Sequence, residues 1–526
     1  MIPTTLVLIT IDLDQQTALF SATLIIAVVI WYTWLVFRYY SKKQQQSPLP
    51  PGPQGLPIVG YLPFLDSQLH SHFALLAKKY GPILSLRLGG ETCIVISSPG
   101  MAREILKDND VTFANRPVPN VVKAMEYGGR DLVFTPYGAE WRMLRKVCMQ
   151  DMLGHATLNQ FYCYRRREIG ETVRYLHSLK GLEAVNVGEE MFLSILNVIT
   201  SMLWGGTIQG DKRSSIGAEL RQVVGEITDL MGKPNVSDFF PRLEWMDLQG
   251  MKKRMKKVVV KLERIFDEII GLRTEGDGKK SSSSNGNVDF LQVLLKLREG
   301  DSTKPPLTMF HVKALLLDMV VGGTDTTSST VEFAIAEMMN NPRVMIKAQQ
   351  ELDAVVGKAV EESDLDKLIY LKAVIKEVLR LHPVLPLMVP HCPSESCTVA
   401  GFRVPRGARV FVNVWAIHRD PAFWEQPSEF MPERFLGPEG EGRWDYSGSD
   451  LRYLPFGSGR RRCAGMDMGE RIVMLSVASL VHGFDWSKLG QAETVEEHPV
   501  SEKFGIVLKK REPLVAVPVP RLTLTD

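Results

Sequence analysis

Ten residues, Phe456-Gly457-Ser458-Gly459-Arg460-Arg461-Arg462-Cys463-Ala464-Gly465, constrain this chain more than any others. They put a cysteine where a glycine-rich loop runs into an apolar stretch, Met466 to His482, long enough for a buried helix. Unpaired backbone N–H groups and the helix dipole favour a thiolate at such a point, as do the three arginines. Of the six cysteines (Cys93, Cys148, Cys163, Cys392, Cys397, Cys463), Cys463 is therefore the one placed for metal ligation or nucleophilic work. A phosphate cradle is a rival use of the glycines, but Gly-x-x-x-x-Gly-Lys-Ser/Thr is absent and the last glycine is misplaced for a dinucleotide fingerprint. A cysteine nucleophile with a histidine base is a second rival, for which the sequence identifies no base. A thiolate beside three arginines, with no second Cys or His ligand, fits a large planar anionic cofactor better.

Three weaker signals accompany this loop. An apolar helix candidate from Thr308 to Met339 carries Gly322-Gly323-Thr324-Asp325-Thr326-Thr327 at its middle, where two glycines at about 1 kcal/mol each weaken a core helix. Missing side chains there give a ligand access to the backbone, and Asp325 beside Thr326 supplies an acid and an alcohol for relaying protons. Taken alone, such a string is more often a bland kink or loop. Glu377 and Arg380 lie three apart on one helix face, and Arg434 offers a second guanidinium shortly before the cysteine loop. Trp141 and Arg145, four apart, share a face of a segment made basic by Arg142 and Lys146.

The N-terminal region adds a location. Residues 17–37 contain no charge, and their length is that of a bilayer-crossing helix of about 20 residues. Asp12 and Asp14 precede them and Arg38, Lys42 and Lys43 follow, so the positive-inside rule predicts a lumenal N-terminus (1–16), a single transmembrane anchor (17–37) and a cytosolic catalytic domain. A basic, proline-rich hinge (38–53) ends in Pro48, Pro50, Pro51 and Pro53, which hold the backbone near polyproline II and set the following domain (54–526) at a fixed angle to the membrane.

That domain reads as mainly α with small β-sheets: helical patterns dominate, with strand-like runs at Ile83 to Leu88, Cys93 to Ile96, Thr398 to Phe402 and Val410 to Val414. The stretch Lys279 to Asn287 is low-complexity and reads as a loop. With 62 Lys+Arg against 60 Asp+Glu, the chain has no polyelectrolyte field, which argues against nucleic-acid binding. Its cysteines show neither disulfide-scaffold nor zinc spacing, so a reducing compartment is expected.

These pieces, in this order, resemble the cytochrome P450 haem-thiolate monooxygenases of the membrane-anchored microsomal kind, over nearly the whole chain. The wording of Pro136-Tyr137-Gly138, Asn413 to Asp420 and the ending Val517 to Leu522 is similar to the plant group that hydroxylates terpenoids and flavonoids. The resemblance implies the P450 fold, haem b with Cys463 as its axial ligand, and a thiolate that pushes electron density onto iron to favour O–O cleavage. It implies Trp141, Arg145, His391, Phe456 and Arg461 around the haem, with Trp141, Arg145, His391 and Arg461 on its propionates. It implies Glu377, Arg380 and Arg434 as a structural triad, and Asp325 with Thr326 as the proton relay.

By the same resemblance the substrate is met by Val118 to Phe134, Phe239 to Trp245, Leu316 to Val321, Leu385 to Val389 and Phe504 to Val507, with Leu316, Val320, Val321, Gly322, Leu387 and Ile506 singled out. These segments are almost wholly apolar, so a lipophilic substrate held by shape is expected, a terpenoid ahead of a flavonoid or other phenylpropanoid. The implied partners are O2, an NADPH-dependent reductase docking on Arg142, Lys146 and Arg460, and the endoplasmic reticulum membrane; NADPH acts only through that reductase. The alternative is an oxygen-independent haem-thiolate isomerase or dehydratase, whose relatives usually lack the acid and alcohol found at Asp325 and Thr326.

Overall fold

Apolar residues on one face of Leu69–Tyr80 make helix α1, which buries His70, Phe73 and Leu76 and stops at Gly81, whose φ of 102° suits glycine. The computed structural model containing it describes residues 22–23, 26–34, 48–125, 129–205, 211–276, 289–300, 304–437, 444–488 and 500–522. Ile83–Leu88 (β1) and Glu91–Ile96 (β2) pair antiparallel, Ile83 opposite Ile96, and Arg409–Val412 (β3) adds in parallel on the free side of β2. The strand expected at Val410 to Val414 ends early because Asn413 accepts the Ala416 N–H at 3.1 Å and caps a helical turn, Val414–Ile417. Thr398 to Phe402 is a hairpin rather than one strand: Ala400 and Gly401 turn the chain at φ 50° and 80° between Cys397–Val399 and Phe402–Val404.

The rest is helical. Ala139–Lys146 (α2), Val187–Trp204 (α3), Met309–Asn340 (α4), Ile369–Leu381 (α5) and Met466–Gly483 (α6) surround the site, with α4 packed against α3, α5 and α6. Helix α4 begins with a capping box in which Thr308 accepts the His311 N–H at 3.4 Å while His311 Nδ1 accepts the Thr308 N–H at 3.1 Å. It ends before Pro342, the first residue of the next helix. Apolar residues such as Leu315, Leu316, Phe333 and Ile335 are buried along its length, each worth about 1.5–3 kcal/mol. The Gly-Gly-Thr-Asp-Thr-Thr run does not interrupt it. Hydroxyls of Thr324, Thr326 and Thr330 donate to the carbonyls four residues back (Val320, Gly322 and Thr326) at 2.7, 2.7 and 2.9 Å, so they load the ladder without breaking it.

The two glycines there serve different neighbours. A Cβ on Gly323 would stand 3.0 Å from Ile199 Cδ1, so its absence lets α3 approach, whereas a Cβ on Gly322 would meet nothing. Of the expected anchor, residues 22–23 and 26–34 are described and helical, with Ile26, Val29 and Trp31 more than half exposed; the remainder, like Lys279 to Asn287, lies outside the described residues. Among the described residues no helix is long and apolar enough to cross a membrane.

Candidate active site

The cysteine loop closes on itself, the Cys463 N–H donating to Phe456 O at 3.0 Å. Gly459 takes a φ of 71°, and a side chain there would put Cβ 2.3 Å from Leu106 O, so this position accepts glycine alone. Cys463 is screened from bulk solvent yet keeps accessible surface, because it opens onto an internal cavity of about 350 Å³. Phe456, Arg461, Arg462, Trp141, Arg145, His391, Gly322 and Thr326 line the same cavity. Burial pushes the Cys463 thiol up, opposed by the Gly465 N–H and by Arg145 and Arg462. The backbone N–H and the arginines thus act in the direction expected of them, against the cost of burial.

The expected propionate donors converge, but several already have partners. Arg461 donates to the carbonyls of Ala114 at 2.6 Å, Leu132 at 3.1 Å, Val133 at 3.3 Å and Thr135, and its guanidinium lies 4.5 Å from the centre of the Trp141 ring. Trp141 Nε1 donates to Leu132 O at 3.1 Å. His391 Nδ1 donates to Phe113 O at 2.8 Å, and burial beside Arg116 pushes the ring down to about 3, so it is neutral and its Nε2 is an acceptor. Arg145 makes no hydrogen bond or ion pair with the described residues. Arg116, which the sequence reading missed, lines the cavity too; it donates to Val389 O and, at 3.2 Å, to Pro390 O, while its buried Nε has no partner among the described residues. Burial pushes Arg116 down to about 9 and Arg461 to about 10.

On α4, Thr326 faces the cavity and Asp325 does not. Asp325 is buried beneath Lys509, with Oδ1 2.7 Å from Nζ and Oδ2 lacking a partner among the described residues. The acid and alcohol expected to act together thus point to different sides of the helix, successive side chains being about 100° apart. Below the cavity Glu377 is enclosed by Arg380, bidentate at 2.6 and 2.8 Å, by Arg434 Nε at 3.1 Å and by the Met431 N–H at 2.8 Å. Arg380 also donates to His418 O, Pro427 O and Glu429 O, so the cluster fixes the segment leading to the cysteine loop onto α5.

Of the substrate-facing candidates, Val321, Gly322 and Ile506 line the cavity, and Leu316, Val320 and Leu387 do not. Leu316 and Val320 are turned into the helical core, and Leu387 packs with Phe73, Leu84 and Leu86 beside β1. Phe239 to Trp245 contributes no lining residue, Trp245 being 81% exposed. The wall is less apolar than expected, since it includes Asp131, Asp318 and Thr228. Asp318 Oδ2 accepts the Leu132 N–H at 2.8 Å and Asp131 Oδ1 the Phe134 N–H at 2.6 Å. Burial raises both, Asp131 to about 6 and Asp318, which also feels Asp131, well above the carboxylate range. A lone acid in the apolar run Ala314 to Val321 was a readable signal; Arg116 stands in no pattern that would mark it.

Residues 50–517 match the Cytochrome P450 family model. The chain belongs to the cytochrome P450 family. Similar relatives are flavonoid 3'-monooxygenases of Arabidopsis thaliana (38% identical, covering 95% of this chain and 97% of the relative) and Petunia hybrida (39%, 95% and 98%). A 3,9-dihydroxypterocarpan 6A-monooxygenase of Glycine max is 38% identical over 95% of this chain and 97% of its own length. A zebra fish cytochrome P450 solved with progesterone superposes with a TM-score of 0.71 at 26% identity, covering 85% of this chain and 99% of its own.

As a P450, the protein is a monooxygenase whose cofactor is haem iron held by a thiolate. Its cavity fits that group: a cysteine sulfur faces it, and Arg116, Arg145 and Arg461 leave a buried positive excess with an unpaired Arg116 Nε, which a dianion would balance. Cys463 would hold the iron and Arg145 and Arg116 the carboxylates, with Trp141 and Arg461 bracing the wall through backbone carbonyls. His391 could donate only from Nε2, after a nearby carboxylate had raised it enough to protonate.

Proposed function

We propose that this P450 hydroxylates a flavonoid or related phenylpropanoid on the cytosolic face of the endoplasmic reticulum, with electrons from a membrane-bound NADPH reductase. The observation that carries the substrate class is the near full-length similarity to enzymes named for flavonoids and a pterocarpan. The preference for a terpenoid rested on a wall without polar groups, and Asp131, Asp318 and Thr228 remove that ground. Bound haem supplies the activation of O2 and the insertion of one oxygen atom. The chain's part is to hold the haem by Cys463, orient an aromatic substrate in the cavity, exclude bulk water and manage protons through Thr326.

Asp325, paired with Lys509, is not among the residues lining the cavity at this route. The isomerase alternative is not favoured, since the relatives are monooxygenases. Residues 17–37 as anchor and the prolines behind them as hinge complete the reading, supported by the exposed apolar residues of 26–34. The test is turnover of membrane-expressed enzyme with reductase and NADPH on a mixed panel of flavanones, flavones and mono- and sesquiterpenes. Oxygenated flavonoids are expected, and oxygenated terpenes alone would restore the discarded preference.

A further inference from the structure

Resting on that substrate reading, we propose that Asp318 is the polar anchor of the cavity, donating a hydrogen bond to one hydroxyl oxygen of the flavonoid-class ligand. From Ala314 to Val321, α4 offers the cavity only apolar groups apart from this carboxyl. Asp318 is screened from bulk solvent but retains accessible surface, as it must if the surface it shows is the cavity's own. Its Oδ2 is occupied by the Leu132 N–H, which ties α4 to the loop over the cavity and fixes the rotamer, leaving Oδ1 for a ligand. Burial and the neighbouring Asp131 keep the acid neutral, so it can donate as well as accept.

Spacing supplies an independent argument. Asp318, Gly322 and Thr326 are each four residues apart and form one stripe down the cavity face of α4, all three lining it. At 1.5 Å per residue, Asp318 stands about 12 Å along the axis from Thr326. That is the length scale of a three-ring aromatic skeleton, not of a single ring. A ligand held by an oxygen at Asp318 and lying across the bare backbone at Gly322 would bring its far ring to Thr326 and the cysteine. Anchor and reaction centre would thus lie at opposite ends of the molecule, which is how one hydrogen bond fixes which ring is attacked.

The experiment uses haem-loaded enzyme and compares dissociation constants for unsubstituted flavanone and its monohydroxylated derivatives. The wild type should bind one derivative roughly tenfold tighter than flavanone, the worth of one buried hydrogen bond. Asp318→Leu should abolish that preference and scatter the position of hydroxylation. Asp318→Asn, which mimics a neutral acid, should keep the preference within about threefold. If Asp318→Leu does not fold, Asp318→Ser, too short to reach the ligand, replaces it.

A preference that survives loss of the carboxyl overturns the assignment, as does its loss in a folded Asp318→Asn enzyme. Oxygenated flavonoid products alongside an unmoved preference would sink the anchor alone. Failure to bind or turn over any flavonoid would remove both readings.

Discussion

Cys463 works against its own ionisation in the bare protein, since burial pushes its thiol up despite Arg145 and Arg462. Cys463 would hold the haem iron as a thiolate, so its ionisation and haem binding would be linked. Glu377 is the opposite case: its two carboxylate oxygens are filled by the buried Arg380, the half-buried Arg434 and the Met431 N–H. Glu377→Ala would leave Arg380, a fully buried cation, without its counter-ion, and is expected to cost about 3–5 kcal/mol. The thermal midpoint and the yield of haem-loaded protein measure this; a near-normal midpoint would show that the three carbonyls on Arg380 suffice without the carboxylate. The sequence made this cluster legible because Glu-x-x-Arg on a helix and a later Pro-Glu-Arg string state it in residue types. It could not reveal Arg116, whose importance comes only from where folding leaves its unpaired nitrogen.

At the scale of elements, α4 was readable from end to end because Thr308 and Pro342 bound it chemically, while the sides its residues face were not. Leu316 and Val320 read as well for the cavity as Val321, and only the packing of α3, α5 and α6 around the helix sorts them. The paired glycines give a test. Gly322→Ala meets open space and should raise stability by up to about 1 kcal/mol through helix propensity. Gly323→Ala presses on Ile199 and should return none of that gain. Equal midpoints in chemical denaturation for the two variants would contradict the assignment of distinct roles.

The C-terminal hairpin, Glu502–Lys503 with Lys509–Lys510, is a second element fixed at both ends. Glu502 binds His382 Nδ1 at 2.6 Å, His70 Nε2 at 3.3 Å and the Trp415 N–H at 3.0 Å, Lys509 binds Asp325, and Ile506 and Val507 between them reach the cavity. His382 is raised above 6.5 by Glu337 and Glu502, which outweigh the burial opposing them, and hydrogen bonds hold Glu502 well below 4.5 against its own burial. The histidine's contribution is therefore complete below pH 6.5 and is lost as pH rises through its folded value, whereas that of Glu502 is lost only as pH falls through its lowered one. His382→Gln should cost about 3–5 kcal/mol below pH 6.5 and less as pH rises through the histidine's raised folded value. Thermal midpoints of both proteins across that range decide it; a pH-independent gap would mean that His382 packs on Phe333 as a neutral ring.

At the scale of the whole molecule, the order of motifs was enough to name the fold, and one face remains to be assigned. Arg142 and Lys146 are exposed on the side of α2 away from Trp141, near Arg460, which is paired with Asp110 at 3.0 Å. Reversing the charge at Arg142 and Lys146 should slow reduction by the reductase severalfold at low salt and flatten its salt dependence. Stopped-flow reduction rates at several ionic strengths would show it, and rates that match the wild type throughout would place the docking face elsewhere. The substrate was the least legible property, because it depends on a few polar groups set among apolar ones. Asp318 is a single letter in an apolar run, and its meaning appears only when α4 and the loop around Leu132 close over one space.

The most direct measurement is isotopic: incubation of the membrane-expressed enzyme with reductase, NADPH, a flavanone and ¹⁸O2, followed by mass spectrometry of the product. The account predicts a hydroxylated flavonoid carrying one labelled oxygen atom, formed only when reductase and NADPH are present. An unlabelled, rearranged product formed without the reductase, or labelled oxygen appearing in a terpene and in no flavonoid, would contradict it.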